Sequence, residues 1–329
     1  MKITVENVLP KLLEWLHSGQ RVCLATLYHS HGASPRPVGS QMAIAEDGQW
    51  FGYLSGGCAE QAIADEGVDV IKQASNRSVR YGIGSDYLDI QLPCGAGIDV
   101  WFDQTIRESH IEVILDRLQA RKLSALQCDA GQAATPARIV DFGSPLQLKE
   151  VLADSEFRRW YVPPRRLYII GAGPAAVALA ALASEADYRV YLLTPDQHTY
   201  QEVEKRAGRV ELLKNHSQVE ALQVDRWTSL VLMFHEHERE TQILTTFLKY
   251  ELAYIGALGS KQTHNHRLEQ LKEHGLTPEQ CAQVRGPVGL DIMARTPIEI
   301  AISVLAELTL KNQQQASPLL EWGGAEVAV

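Results

Sequence analysis

The segment Leu167-Tyr-Ile-Ile-Gly-Ala-Gly-Pro-Ala-Ala176 constrains the fold of this chain more than any other. A short run of strand character enters a Gly-x-Gly-x-x-Ala turn, and an Ala-rich stretch of helical character leaves it. In such a turn the first glycine permits the bend, and the second lets backbone approach a phosphate. The small last residue allows close helix–strand packing. Helix N-terminal amides beside the turn add an anion site, so Gly171 and Gly173 are candidate phosphate contacts. The eighteen residues from Leu167 to Ser184 carry no charge, a length that raises the question of a membrane span. Gly171, Gly173 and Pro174 interrupt them early, and a buried strand, turn and helix are expected instead. Downstream, strand and helix patterns alternate through Arg189–Leu193, Thr199–Ala207, Ser229–Met233, Glu240–Lys249 and Leu252–Gly256. That alternation predicts a parallel sheet covered by helices, a Rossmann-like domain.

The first half reads differently. The N-terminus has helical spacing of apolar residues broken by Glu6, Lys11 and Glu14, which is an amphipathic helix rather than a signal peptide. Val22–Tyr28 reads as a strand, and Gln41–Ala45 with Trp50–Leu54 as a hairpin around Asp47-Gly48. Helical periodicity runs from Cys58 to about Gln73 and from Glu112 to Leu123, with short strands between and after. The expected organisation is a mixed α+β domain over 1–155, a polar, Pro-rich linker over 156–165, the Rossmann-like domain over 166–315 and a mobile tail over 316–329. The last helix is expected to begin at Pro297, with Thr296 and Glu299 forming a capping box.

Composition narrows the class. The 329 residues are 45% hydrophobic with a formal net charge of −9, so neither a disordered chain nor a basic nucleic-acid footprint is indicated. Five scattered cysteines with no Cys-x-x-Cys spacing fit reduced thiols in a cytoplasmic protein better than a disulfide framework. A homodimer is the default expectation.

Several segments carry chemistry-bearing residues. In Ser55-Gly-Gly-Cys-Ala-Glu60, Gly56 and Gly57 bring backbone close to something or simply make a sharp turn. Cys58 falls at a predicted helix N-terminus, where the dipole favours thiolate over thiol; the plainer alternative is a buried structural cysteine. Cys94, in Leu92-Pro-Cys-Gly-Ala-Gly97, sits in a Gly-rich turn and is a candidate soft ligand. The second cysteine of a zinc deaminase signature is missing there. Arg36 lies between two prolines on a stiff loop and could form a bidentate contact with phosphate. His235 and His237 follow the strand Ser229–Met233, at the edge where open α/β sheets bind ligands. The second strand of the Rossmann-like half ends Leu192-Leu-Thr-Pro-Asp196, with Thr194 where a ribose-binding acid is expected. That weighs against NAD, yet an NAD(P)-dependent oxidoreductase using the Gly171 turn remains the alternative.

Together these segments resemble the XdhC/CoxI accessory proteins of xanthine and carbon monoxide dehydrogenases. The resemblance rests on Gly32-Ala-Ser-Pro-Arg-Pro-Val-Gly39, Leu54-Ser-Gly-Gly-Cys-Ala-Glu60, Cys94-Gly-Ala-Gly97 and Ile169-Ile-Gly-Ala-Gly173. Tyr254-Ile-Gly-Ala-Leu-Gly-Ser-Lys261, Pro287-Val-Gly-Leu-Asp-Ile292 and Thr296 through Glu307 extend it over nearly the whole chain. It implies a chaperone rather than an enzyme, one that binds molybdenum cofactor, supports its sulfuration and hands it to a molybdenum hydroxylase. A cysteine desulfurase and the target enzyme would be its partners. Carried onto this sequence, Cys58 and Cys94 become the thiols near the metal. Arg36, Gly56, Gly57, Gly171, Gly173 and His235 become further cofactor contacts. Cys94-Gly-Ala96 departs from the family's Cys-Gly-Gly, and Glu240 stands where an Asp is usual.

Overall fold

The computed structural model describes residues 7–32, 34, 36–85, 95, 97–131, 137–141, 152–206, 209–234, 237–315 and 320–322. They fall into two units, Met1–Pro163 with Ser317–Val329, and Pro164–Ala316.

The first unit opens with α1 (Leu9–His17), whose apolar face buries Leu9, Leu12 and Trp15. Then come β1 (Val22–His31), β2 (Gln41–Ala45), β3 (Trp50–Gly52), α2 (Glu60–Gln73), β4 (Arg77–Gly82) and β5 (Gly97–Asp103). These strands form an antiparallel sheet in the order β3-β2-β1-β5-β4, and the hairpin expected around Asp47-Gly48 is present. α3 (Glu108–Gln119), β6 (Ser124–Asp129), β7 (Arg138–Asp141) and β8 (Glu156–Tyr161) complete the run.

Alternation along β1 splits the core. Cys23, Ala25 and Leu27 pack with Ile63, Ala64 and Val70 of α2, while Val22 and Leu24 pack with Trp101, Phe157 and the α1 side chains. Near its end the strand departs from this alternation. Leu27 pairs with Val100 and His29 with Asp99, so Tyr28 is an extra residue, a β-bulge.

The second unit contains β9 (Arg166–Gly171), α4 (Pro174–Glu185), β10 (Arg189–Thr194), α5 (Gln197–Arg206), β11 (Arg209–Leu212) and α6 (Ser217–Glu220). β12 (Thr228–Met233), α7 (His237–Phe247), β13 (Tyr254–Ala257), α8 (Lys261–Glu273), α9 (Pro278–Cys281), β14 (Val284–Arg285) and α10 (Pro297–Gln315) complete it. All strand pairs are parallel, in the order β11-β10-β9-β12-β13-β14. Counted within the unit this is 3-2-1-4-5-6, the doubly wound dinucleotide-binding order, with its crevice where β9 meets β12. The predicted Rossmann-like sheet is therefore present. Small residues of α4 (Ala176, Ala180, Ala183) pack with Leu167, Ile169, Val304 and Leu308 on one face of the sheet. Phe247, Leu244 and Leu271 cover the other face. The capping box forms as expected: Thr296 N–H donates to Glu299 Oε2 at 2.9 Å, and Glu299 N–H to Thr296 Oγ1 at 3.4 Å.

The uncharged stretch from Leu167 divides between β9, the turn and α4, and no helix among the described residues is long and apolar enough to cross a membrane. Two other expectations are corrected. The segment read as a linker is mostly β8, an inner strand whose Phe157 and Trp160 are fully buried. The segment read as a mobile tail contributes β15 (Leu320–Trp322), which pairs antiparallel with β8 and gives the sheet order β15-β8-β6-β7. The reason in the first case is that Arg158 and Arg159 look polar in sequence but are buried with partners. Arg158 Nε donates to Gln127 Oε1 at 3.1 Å, and Arg159 Nε to the Gly39 carbonyl at 2.5 Å.

Candidate functional site

Cys58 sits in the loop between β3 and α2, and it is the one exposed thiol among the described cysteines; Cys23, Cys128 and Cys281 are buried. Burial pushes the Cys23 and Cys128 thiols well up, which keeps them protonated and inert. The Ser55–Glu60 loop has one clear cause for its shape. Glu60 turns its carboxylate back into the loop, where Oε1 accepts from the amides of Leu54, Ser55 and Gly56 at 3.0, 2.8 and 3.1 Å. Oε2 accepts from Ser55 Oγ at 2.6 Å and from the Gly57 amide at 2.8 Å. Ser55 Oγ in turn accepts from the amides of Cys58 and Ala59 at 3.1 and 2.8 Å. Curling four successive amides onto one carboxylate requires φ of +81° at Gly56 and +110° at Gly57, values that side chains with a Cβ rarely adopt.

The glycine pair therefore does bring backbone close to something, and that something is an anion of the chain itself. Burial alone would raise the Glu60 carboxyl, but the Ser55 side chain and the surrounding amides outweigh it and hold it below the usual carboxylate range. Sequence reasoning treated Glu60 as an ordinary helix residue. The signal was its place at the first position of α2, three residues after a glycine pair, where a carboxylate can reach back to unsatisfied amides.

The other predicted residues are scattered over both units. Arg36 is half-buried in the loop between β1 and β2, with its amide 3.4 Å from Ser34 Oγ. Cys94 and His235 lie outside the described residues. Gly171 ends β9 with φ of +149°, and a Cβ there would lie 2.2 Å from the Met233 carbonyl oxygen. The close approach that demands this glycine is thus β12, its neighbour in the sheet. Gly173 has φ of +96° and open space where a Cβ would point, so its backbone can be approached from outside. Its amide donates to Thr199 Oγ1 at 2.9 Å. The first-turn amides of Ala175 and Ala176 have no intrahelical carbonyl to take them.

The end of β10 settles two details. Thr194 is fully buried, and its Oγ1 accepts from the Asp196 amide at 3.1 Å. Asp196 caps α5, accepting from the Thr199 amide at 2.7 Å and from Thr199 Oγ1 at 2.6 Å. The acid that follows β10 is therefore engaged as a cap. Glu240 is buried in α7 and accepts from Arg267 Nε and Nη2 of α8 at 3.2 and 3.0 Å, a buried ion pair joining the two helices.

The first unit thus carries an exposed thiol on a carboxylate-tied glycine loop, and the second is a Rossmann-like unit with an open Gly173 turn. Family comparisons agree. Residues 167–308 match the model described as the XdhC Rossmann domain, and residues 15–82 match the XdhC and CoxI family. Molybdenum cofactor insertion chaperone PaoD of Escherichia coli is 34% identical over 92% of this chain and 87% of its own length. A protein of Bacillus subtilis named as a probable xanthine dehydrogenase subunit is 26% identical over 92% of this chain and 96% of its own. The chain belongs to the XdhC and CoxI family. A crystal structure described as a xanthine dehydrogenase from Bacillus halodurans shares the fold, with a TM-score of 0.77 and 24% identity over 96% of this chain and 97% of that one.

Proposed function

We propose that this chain is a cytoplasmic accessory protein, rather than an enzyme, that carries molybdenum cofactor and hands it to a molybdenum hydroxylase of the xanthine dehydrogenase type. The observation that carries the reading is Cys58, an exposed soft donor held on a loop whose geometry is fixed from within by Glu60. Family membership and the name of the 34% identical relative support the cargo.

In this reading the cofactor is cargo. Cys58, with Cys94, meets the metal end, and Gly56 and Gly57, their amides held by Glu60, flank the cofactor as part of the loop that presents Cys58. Arg36 and the Gly171–Gly173 turn serve the phosphate, and His235 is a further cofactor contact. A thiol suits a molybdenum centre that exchanges oxygen for sulfur, and a cysteine desulfurase is the partner that would supply that sulfur. A guanidinium and helix amides suit a phosphate. The capped Asp196 and buried Thr194 leave the end of β10 without a free acid for a ribose, which weighs against NAD(P) as the working ligand. The working form is proposed to be a homodimer.

The test is cofactor content after anaerobic purification from a host with raised molybdenum cofactor supply. Molybdenum by metal analysis and pterin by oxidation to its fluorescent product are expected in near-stoichiometric amounts, and Cys58→Ser is expected to lose both. Absence of both from the wild-type chain, with a clear rise in melting temperature in millimolar NAD or NADP, would overturn the reading in favour of an oxidoreductase.

A further inference from the structure

On the first unit's five-stranded sheet, away from the Cys58 loop in sequence, a second set of ligating side chains converges. Asp99 of β5 is the direct cross-strand partner of His29 on one side and of Arg80 on the other. Regular alternation would put His29 on the face of Leu27, toward α2. The extra residue Tyr28 shifts the register, so His29 and His31 both join the face of Asp99.

The result is tight. His29 Nδ1 lies 3.1 Å from His31 Nε2, His31 Nε2 lies 2.9 Å from Asp99 Oδ2, and His29 Nδ1 lies 3.4 Å from the same oxygen. Asp99 is held from behind, with Arg80 Nε on Oδ1 at 2.6 Å and Arg80 Nη2 on Oδ2 at 3.0 Å.

Three lone-pair atoms in one triangle are poorly served by protons. If both imidazole nitrogens carry hydrogen toward Asp99, two N–H groups crowd each other with their nitrogens only 3.1 Å apart. If only His31 does, its one N–H is split between Asp99 Oδ2 and His29 Nδ1 in a bent, three-centre bond, and the His29 lone pair still lies 3.4 Å from the carboxylate oxygen. A cation serves all three at once. Ligand atoms on a shell of about 2.0–2.1 Å radius stand roughly 2.9–3.4 Å apart, in octahedral or tetrahedral array, and the observed edges of 2.9, 3.1 and 3.4 Å span that interval. Arg80 supplies the outer hydrogen bonds that orient a ligating carboxylate. The histidine side chains are 28% and 32% exposed, which leaves the solvent side of the triangle open for a further ligand. Among the described residues the other set of this kind, His17, Glu108 and Glu112, has all three residues exposed and lacks a buried, guanidinium-held carboxylate.

The geometry points to a divalent transition-metal site of the zinc class at His29, His31 and Asp99, with two imidazoles and one carboxylate as protein ligands and one position left open. Imidazole and carboxylate donors select zinc-like cations over calcium or magnesium, which prefer an all-oxygen shell. The site is independent of the cargo reading, because it uses none of the residues assigned to the cofactor.

The full-length chain, stripped with chelator and titrated with Zn2+ against a chromophoric competitor, is expected to bind one equivalent that His17→Ala and Cys58→Ser both leave in place. His29→Ala and His31→Ala are each expected to weaken it tenfold or more. The milder His31→Gln removes the donor at similar volume and guards against misfolding, with circular dichroism as the check. Co2+ in place of Zn2+ should give ligand-field bands without a thiolate charge-transfer band. Absence of saturable binding, retention of the equivalent in the His29→Ala/His31→Ala double variant, or its loss in Cys58→Ser would each overturn the assignment. None of these results bears on molybdenum content.

Discussion

At the scale of single residues, Glu60 does more for the candidate site than any residue beside it. Its carboxylate collects four amides and one hydroxyl, and charge-assisted hydrogen bonds of this kind are the strong ones. Glu60→Gln keeps the volume but points amide hydrogens at backbone donors. It is expected to lower the first unit's stability by roughly 2–3 kcal/mol, read as a fall in its urea midpoint. The same variant should change the rate at which Cys58 reacts with a thiol reagent in the native protein, since the loop that presents the sulfur loses its tie. The pH dependence has a definite sign. Glu60 is depressed in the folded state, so its contribution is fully present above the unfolded carboxylate value of about 4.3. It is lost as pH falls through the lower folded value. The gap between wild type and Glu60→Gln, measured by urea unfolding from pH 7 downward, should therefore stay level to about pH 5 and then close.

At the scale of elements, the two glycines of the β9–α4 turn separate into different roles. Gly171→Ala would drive a Cβ to 2.2 Å from the Met233 carbonyl oxygen, against backbone that cannot give way. A loss of about 3 kcal/mol or more in the second unit is expected from overpacking and strain together. Gly173→Ala meets open space and should cost only the left-handed backbone penalty of about 1–2 kcal/mol. Thermal melts of the two variants rank these effects directly, and equal losses would show that the turn is not clamped by β12. The turn itself was legible because its constraint is local: glycines, a proline and a small residue at fixed spacing. β8 was not, because Arg158 and Arg159 find Gln127 of β6 and the Gly39 carbonyl of the β1–β2 loop, both far away in sequence, and periodicity carries no trace of such partners. The site shows the same division. Cys58 could be picked out from its glycine neighbours, whereas the Glu60 tie depends on a side chain folding backward. The His29–His31–Asp99 triangle depends on a bulge that moves two histidines across the sheet. A His-x-His pair on a strand was the available sign, since residues two apart share a face. Its partner Asp99 lies 68 positions away.

At the scale of the whole molecule, the chain passes between units twice. It leaves the first unit after Pro163, builds the second, and returns from Ser317 to place β15 on β8. The first unit is therefore closed by residues made after the second, and its four-stranded sheet cannot be complete until the Rossmann-like unit between has been synthesised. A chain ending at Ala316 would leave β8 with an unpaired backbone edge, the kind of edge that templates pairing with other chains. Such a truncation is expected to lower the first unit's unfolding midpoint and raise its tendency to self-associate. The second unit, whose six strands and flanking helices all lie between Pro164 and Ala316, should keep its own transition. Hydrogen exchange resolves the two cases: protection lost across β8 and β6 but retained across β9 and β12 is the expected pattern. Uniform loss over both units would mean that the strand return couples them into one cooperative structure, and unchanged protection would mean that β15 only decorates an edge already stable without it.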